Sequence, residues 1–405
     1  AATPEPPSLL SETGAFTDLA SLSPASFLLP YTVNSQLWSD RAVKSRWIAL
    51  PNDGDHDSPA EQISFHESEP WSFPAGTVLV KHFELPSDEG DPEATIRLET
   101  RFIVCLPEGR HYGVTYRWRP DGSDADLLTD GISDDYEINL ADGSTTTQTW
   151  QFPGRTDCMS CHNTASGQAL GVRTPQLNGP YHYPDTKVTA HQLETWNALG
   201  MFDIVLSPTV IGGALRSAAL GDSSFPLEHR VRSYLDSNCA HCHRPGGAGP
   251  GFDARLALPL RTQSMVNEPL HPEIEGRFDL LPGSGDDGQI IPGQTALSAV
   301  HFRLAHAQPS PAAMPPLAKN LVDDKAVEAM RDWILGLSPA EFAGAAPTRV
   351  QLGGPSGGVD GVFVVTVIFD EEVDDFDAGD LSVGSGSVVE VMGGGYYYVV
   401  KILPA

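Results

Sequence analysis

Short stretches of the first third alternate apolar and polar residues or run through β-branched ones. Gly76–Phe83, Thr95–Cys105 and Tyr112–Trp118 are such stretches, parted by turn clusters, and their period of two predicts strands. Gly143–Gly154, rich in Thr with Trp150 and Phe152 before Pro153, also reads as strand and turn. Later the period changes. Leu227, Val231, Tyr234 and Leu235 recur at i, i+4, i+7 and i+8, which marks a helix with one apolar face. A second such helix is expected over Val322–Leu337, capped by Asp323 or Asp324, with Val327, Met330, Ile334 and Leu337 on one side. Thr189-Ala190-His191-Gln192 reads as a capping box opening a helix to about Leu199. Beyond an Ala- and Gly-rich linker at Pro339–Pro347, strands are expected at Val362–Phe369, Leu381–Val383, Val388–Met392 and Tyr396–Leu403. The best apolar stretch, Ala198–Leu215, is broken by Asp203 and Pro208, so no uninterrupted apolar run reaches the roughly 18 residues of a membrane helix.

A length of 405 residues suits two to four domains. The pattern divides them into a β-rich domain over 1–205, a helical one over 206–342, and a linker with a small β module over 343–405. With 39 Gly and 34 Pro, turns are dense, which excludes a long bundle or coiled coil. The 53 acidic residues outnumber the 25 basic ones, for a net charge of −28. Such a surface repels phosphate backbones and anionic membranes, so nucleic acid is excluded as a partner. The opening Ala1–Pro7 resembles the start of a mature chain after signal removal.

Four of the five cysteines form two copies of one pattern, Cys158-Met159-Ser160-Cys161-His162 and Cys239-Ala240-His241-Cys242-His243. C-x-x-C-H is the attachment signature of c-type haem. Two thiols one helical turn apart meet the two vinyl groups of one porphyrin, and the following His supplies the proximal nitrogen. A zinc site needs no trailing His and favours pairs about 15–20 residues apart. Here 77 residues separate the pairs. A thioredoxin-like pair needs one C-x-x-C in a βαβ unit. The expectation is therefore two covalently attached haem c groups, on Cys158 and Cys161 with His162, and on Cys239 and Cys242 with His243. Covalent attachment takes place outside the cytoplasm, so a periplasmic or extracellular location follows. Cys105, in the apolar run Arg101–Leu106, reads as a free buried thiol.

Helix, C-x-x-C-H, long loop, Met314-Pro315-Pro316 and closing helix follow the order of a class I cytochrome c. That resemblance implies a mostly α domain with Met314 as sixth ligand of the second iron; a core methionine is the alternative. For the first iron the candidates are His191, His182 and Met201, or a histidine from elsewhere such as His66, His82 or His111, or no protein ligand at all. The fold expected is thus a β-rich domain carrying the first haem, a mostly α class I cytochrome c domain carrying the second, and a partial all-β module.

Further segments carry a wider resemblance. Tyr31-Thr32-Val33-Asn34 with Leu37-Trp38-Ser39-Asp40, Phe73–Lys81, Glu99-Thr100-Arg101, Tyr116-Arg117-Trp118, Leu170-Gly171, Gln176-Leu177-Asn178 and Tyr234–Gly247 are similar to a family of exported two-haem c-type cytochromes of unassigned function. The strand Gly76–Lys81 before a C-x-x-C-H also resembles β-sheet haem proteins whose lysine cross-links to the porphyrin, which implies Lys81 near the first haem. A salt-bridged strand lysine is the alternative. The tail resembles a bacterial Ig-like repeat, but its 59 residues from Pro347 fall short of the roughly 100 of a full sandwich. Either the chain continues beyond Ala405 or a neighbour completes the sandwich. The acidic run Asp370–Asp377 reads as a solvated edge. Three functions compete. The first is electron transfer between redox protein partners or neighbouring copies. The second is a haem peroxidase or small-nitrogen oxidase with an open first iron, and the third is a binding protein in which the haems are auxiliary.

Overall fold

The computed structural model describes residues 5–249, 251–266, 288–342, 350–355 and 359–405. Six strands form an antiparallel meander in chain order: β1 (Leu29–Pro30), β2 (Val43–Ala49), β3 (Val78–Pro86), β4 (Thr95–Cys105), β5 (His111–Trp118) and β6 (Ala125–Leu127). Both faces are covered, which is why these strands are apolar on both sides. Trp47, Val80, Phe102, Val114 and Tyr116 pack on Leu10, Phe16 and Leu28. On the other face Ile48, Leu79 and Ile103 join a core built around Trp71, Trp196 and Phe202. A hairpin, β7 (Ile132–Asn139) and β8 (Thr145–Phe152), closes one end through Ile138, Trp150 and Phe152 against Phe83, Leu85 and Leu98. Cys105 is free and buried, as expected, and burial pushes its thiol up to about 11.

The chain then passes through α1 (Arg155–Cys161), the small hairpin β9 (Pro180–Tyr183) and β10 (Val188–His191), and α2 (Gln192–Ala198). The capping box at Thr189 does not form, because Thr189 pairs with His182 in the hairpin and His191 precedes the helix. Next come α3 (Pro208–Gly213), α4 (Leu227–Asn238), α5 (Ala299–Leu304) and α6 (Asp324–Gly336). Asp323 caps α6 by accepting from the Ala326 amide at 3.2 Å. Met330, Trp333, Ile334 and Leu337 share a core with Val231, Tyr234 and Leu235 of α4.

These helices do not make the mostly α class I cytochrome c domain expected for the second motif. Among the described residues 29% are strand and 20% helical, and within 206–342 only α4 and α6 exceed six residues. The reason is chemical. Pro245, Gly246, Gly247, Pro292, Gly293, Pro309, Pro311, Pro315 and Pro316 interrupt the chain between them, and each removes a donor or favours a turn. The described stretches there are short helices, turns and bends around two longer helices.

The tail forms one sheet from β11 (Val350–Gly353), β12 (Phe363–Phe369), β13 (Ser387–Gly394) and β14 (Tyr397–Leu403), in the order β11-β12-β14-β13. It does not stand apart. Ile368, Met392, Tyr397 and Val399 pack on Leu215, Ala218, Phe225 and Leu256. The opposite face, Val367, Phe369, Tyr398 and Val400, is covered by Val373, Phe376 and Leu381 from the tail's own loop. The stretch expected as a strand at Leu381–Val383 therefore serves as a cover. Asp370 of the acidic run is buried in an ion pair with Arg261 at 2.8 Å, so the run is solvated only beyond it. Among the described residues no helix is long and apolar enough to cross a membrane.

One close backbone approach in this docking is at Gly213, where an added Cβ would lie 2.6 Å from the Gly393 nitrogen and 2.9 Å from its Cα. Overpacking of this kind costs about 1–3 kcal/mol. Gly213→Ala is expected to lower the thermal midpoint and to make the 350–405 sheet more susceptible to limited proteolysis. Unchanged melting and digestion would show the docking to be loose.

Candidate functional site

The first motif hangs from the end of β8. Pro153 and Gly154 end the strand, and the Asp157 carboxylate accepts from the Gly154 amide at 2.9 Å, opening α1. The helix lies directly on β5, where Gly113 leaves room for it: an added Cβ would sit 2.9 Å from Cys158 Cβ and 3.0 Å from its Sγ. His162 follows the last turn, its amide donating to the Cys158 carbonyl at 2.9 Å. Its Nδ1 donates to the Gln168 carbonyl at 2.6 Å, which leaves Nε2 as the lone-pair nitrogen. Burial holds the His162 imidazole down at about 4, and Lys81, His111 and Arg101 add to that shift. The ring is therefore neutral at pH 7, the form that ligates a metal.

The second motif caps α4. Cys239, Cys242 and His243 continue the turn through amide bonds to the Leu235 and Cys239 carbonyls. The His243 ring stacks on Phe252, centroids 4.4 Å apart, and Gly249 lies against it so closely that a Cβ there would come within 2.8 Å. Burial pushes the Cys239 thiol up to about 12.

Far apart in sequence, the two motifs meet in space. Asn163 Nδ2 donates to the His241 carbonyl at 3.4 Å, and the Cys242 thiol acts on Cys161, raising it well above the usual thiol range. Several ties hold this junction. The Asp236 carboxylate pairs with Arg173 and accepts from the Leu256 amide at 3.0 Å. Glu69 receives Arg244 at 3.2 Å and Arg255 at 2.8 Å. A strap over residues 34–40 binds α4 and the loop before α6. Ser35 Oγ donates to the Ser233 carbonyl, the Trp38 amide to Asn238 Oδ1 at 2.7 Å, and the Asn320 and Leu321 amides to Asp40. The Leu37-Trp38-Ser39-Asp40 segment picked out in the sequence is thus a tether between the two halves.

Met314 is half-buried. Its carbonyl accepts from Lys319 Nζ at 3.1 Å, and the same ammonium donates to the Leu304 carbonyl at 2.6 Å. Lys319 is fully buried and acts electrostatically on Cys239 of the second motif. The Ala318 amide donates to Gln151 Oε1 at 3.2 Å, which ties the same loop to β8 just ahead of the first motif.

The other candidate ligands are engaged elsewhere. His182 is exposed on β9 and bonds Thr189 at 3.1 Å. His191 bonds the Asn178 side chain at 3.1 Å. Met201 is buried in the core with Trp196 and Phe202. His66 accepts two turn amides, and His82 is buried against Thr100 on the far face of the sheet. His111 alone of the candidate histidines reaches the first motif, donating from Nε2 to the His162 carbonyl at 2.5 Å. Lys81 has no carboxylate at ion-pair distance among the described residues; it lies over the Phe83 ring at 4.9 Å.

The donor set suits two covalently held porphyrins better than one metal ion. Each motif offers two thiols on a helical turn and one imidazole. A four-thiolate zinc site draws all its sulfurs to within about 4 Å of one another. Among the described residues the one triad of potential ligands that converges is Asp53, Asp57 and Glu61, an exposed acidic group whose Glu61 carboxylate caps its own loop. Comparison with known proteins found no matching family model, no matching curated protein and no matching solved structure.

Proposed function

We propose that the chain is an exported di-haem c-type cytochrome that carries electrons between redox protein partners or neighbouring copies of itself. The observation that carries this reading is the meeting of the two attachment motifs, where Asn163 Nδ2, just after the first, donates to the His241 carbonyl of the second at 3.4 Å. Groups held on the two motifs would lie close together, and electron tunnelling falls steeply with separation. In this reading Cys158 and Cys161 with His162 would hold one haem, and Cys239 and Cys242 with His243 would hold the other. Met314 would supply a thioether to the second iron. A haem supplies a one-electron iron couple whose potential is set by axial ligands, hydrogen bonds and burial.

The chain's own residues supply rigidity. Gln168 orients the His162 ring, and Phe252 with Gly249 clamps the His243 ring. Arg173, Asp236 and the 34–40 strap keep the two motifs at a constant separation. Little needs to reorganise when an electron moves. A net charge of −28 steers the chain toward partners with basic docking surfaces.

A second reading, a haem enzyme with an open first iron, is favoured by one observation: His182, His191 and Met201 are all engaged away from His162. A carbon monoxide difference spectrum on the dithionite-reduced protein, with haem counted per chain, separates the two. An electron carrier is expected to show two covalent haems and no carbon monoxide binding. Binding at one haem would put the enzyme reading first, and no covalent haem would overturn both. Met314→Ala is expected to lower the potential of one haem and leave the other nearly unchanged, because loss of a thioether removes a ligand that favours ferrous iron. Unaltered potentials at both haems would sink the Met314 assignment.

A further inference from the structure

One face of the central sheet carries a row of cations beneath the first motif. Register pairs Arg46 on β2 with Lys81 on β3, Lys81 with Arg101 on β4, and Arg101 with Thr115 on β5. These four positions therefore share a face. The next row on that face is Ile48, Leu79, Ile103 and Gly113, and Gly113 is where α1 and Cys158 rest. The row thus starts under the thiols of the first motif and runs away from them across the sheet.

The charges in this row do not balance. Glu99 takes Arg101 through two hydrogen bonds of 2.8 and 2.5 Å. Lys44, one row further along, donates to the Leu37 carbonyl at 2.8 Å and feels Asp40 and Asp323. Arg46 and Lys81 have no carboxylate partner among the described residues. The Arg46 residue is 6% exposed, and its hydrogen bond is a long one, 3.4 Å, to the Lys44 carbonyl. The Thr115 hydroxyl in the same row is buried without a partner. Lys81 and Arg101 are half-buried. Buried Arg46 and half-buried Lys81 stand without a carboxylate at ion-pair distance among the described residues, a place that suits an anion from outside the chain.

We infer that Arg46 and Lys81 receive a pair of carboxylates, the two propionates of the haem attached at Cys158 and Cys161. This rests on the di-haem reading. Two cations match two carboxylates, and the propionates leave the porphyrin on the edge opposite the vinyl groups taken by the cysteines. From β5, where Cys158 rests, to β3 and β2 is two and three strand spacings, about 10 and about 14 Å. The row therefore places its unpaired charges on the side away from the thiols. Arg46 suits a carboxylate through its planar fork, and Lys81 as a point charge.

The test uses the full-length haem-loaded protein and two readouts, covalent haem per chain and the two midpoint potentials. Arg46→Gln with Lys81→Gln is expected to retain two haems, to lower the potential of one and to leave the other unmoved. Removal of cations bares the carboxylate charge, which favours ferric iron. Lys81→Gln alone, at the more accessible site, is expected to shift the same haem by less and serves if the double variant fails to fold. Arg46→Lys with Lys81→Arg is expected to stay near the wild-type values. Two haems with both potentials unmoved in the Gln variants would overturn this assignment and leave the di-haem reading standing. A wild-type chain without two haems would remove that reading and the assignment with it. A potential that shifts when malonate is added to the wild type, and no longer shifts in Lys81→Gln, would assign the row to a soluble dicarboxylate and overturn the propionate assignment.

Discussion

The Asp236 carboxylate is the constraint on which the arrangement of this protein depends. It sits three residues before Cys239, is wholly buried, and is shared by Arg173 and the Leu256 amide. Arg173 follows the first motif, and Leu256 belongs to the segment after the second that also supports the tail. One charge thus fixes α4, the stretch after the first motif and the platform under the C-terminal sheet. A buried carboxylate tolerates no loss of its partner, since an uncompensated charge there costs several kcal/mol, on the order of 3–5. The Tyr31–Asp40 strap works in the same direction, with hydrogen bonds to α4 and to the loop before α6.

Around this junction charge is sorted by depth. The chain is strongly acidic overall, yet Arg46, Lys81 and Arg101 stand in one row on the sheet face that carries the first motif. The sheet gives these side chains fixed spacing, because register decides which residues stand in one row. Two glycines set the other dimension. Gly113 lets α1 settle on β5, and Gly249 lets the chain close on the His243 ring; any side chain at either position would collide.

The C-terminal sheet shows how a short β module can bury both faces without a second sheet. Its own acidic loop covers one face through Val373, Phe376 and Leu381, and the body of the protein covers the other. The Arg261–Asp370 pair joins the loop to that body. The module therefore belongs to the same packed unit as the second motif, whereas its composition and Gly-rich turns alone resemble an independent repeat.

Local pattern made much of this legible. The strands over 78–86, 95–105 and 111–118, helix α4, and helix α6 with its Asp323 cap follow from periodicity and capping, which act within a few residues. The two C-x-x-C-H motifs are likewise local chemistry, visible without a fold. What periodicity could not show is how short the described helical stretches between α4 and α6 are, because Gly and Pro break helices without saying what replaces them. Nor could it show that the two C-x-x-C-H motifs meet, that Glu69 gathers two arginines, or that Arg46, Lys81 and Arg101 stand in one row. The hint was present, a cation at an inward-facing position in each of three strands. A strand's own sequence shows which residues share a side, but only strand pairing decides which stand beside one another. That pairing, and the meeting of segments far apart in sequence, is settled by long-range packing and buried charge, which the tertiary structure alone decides.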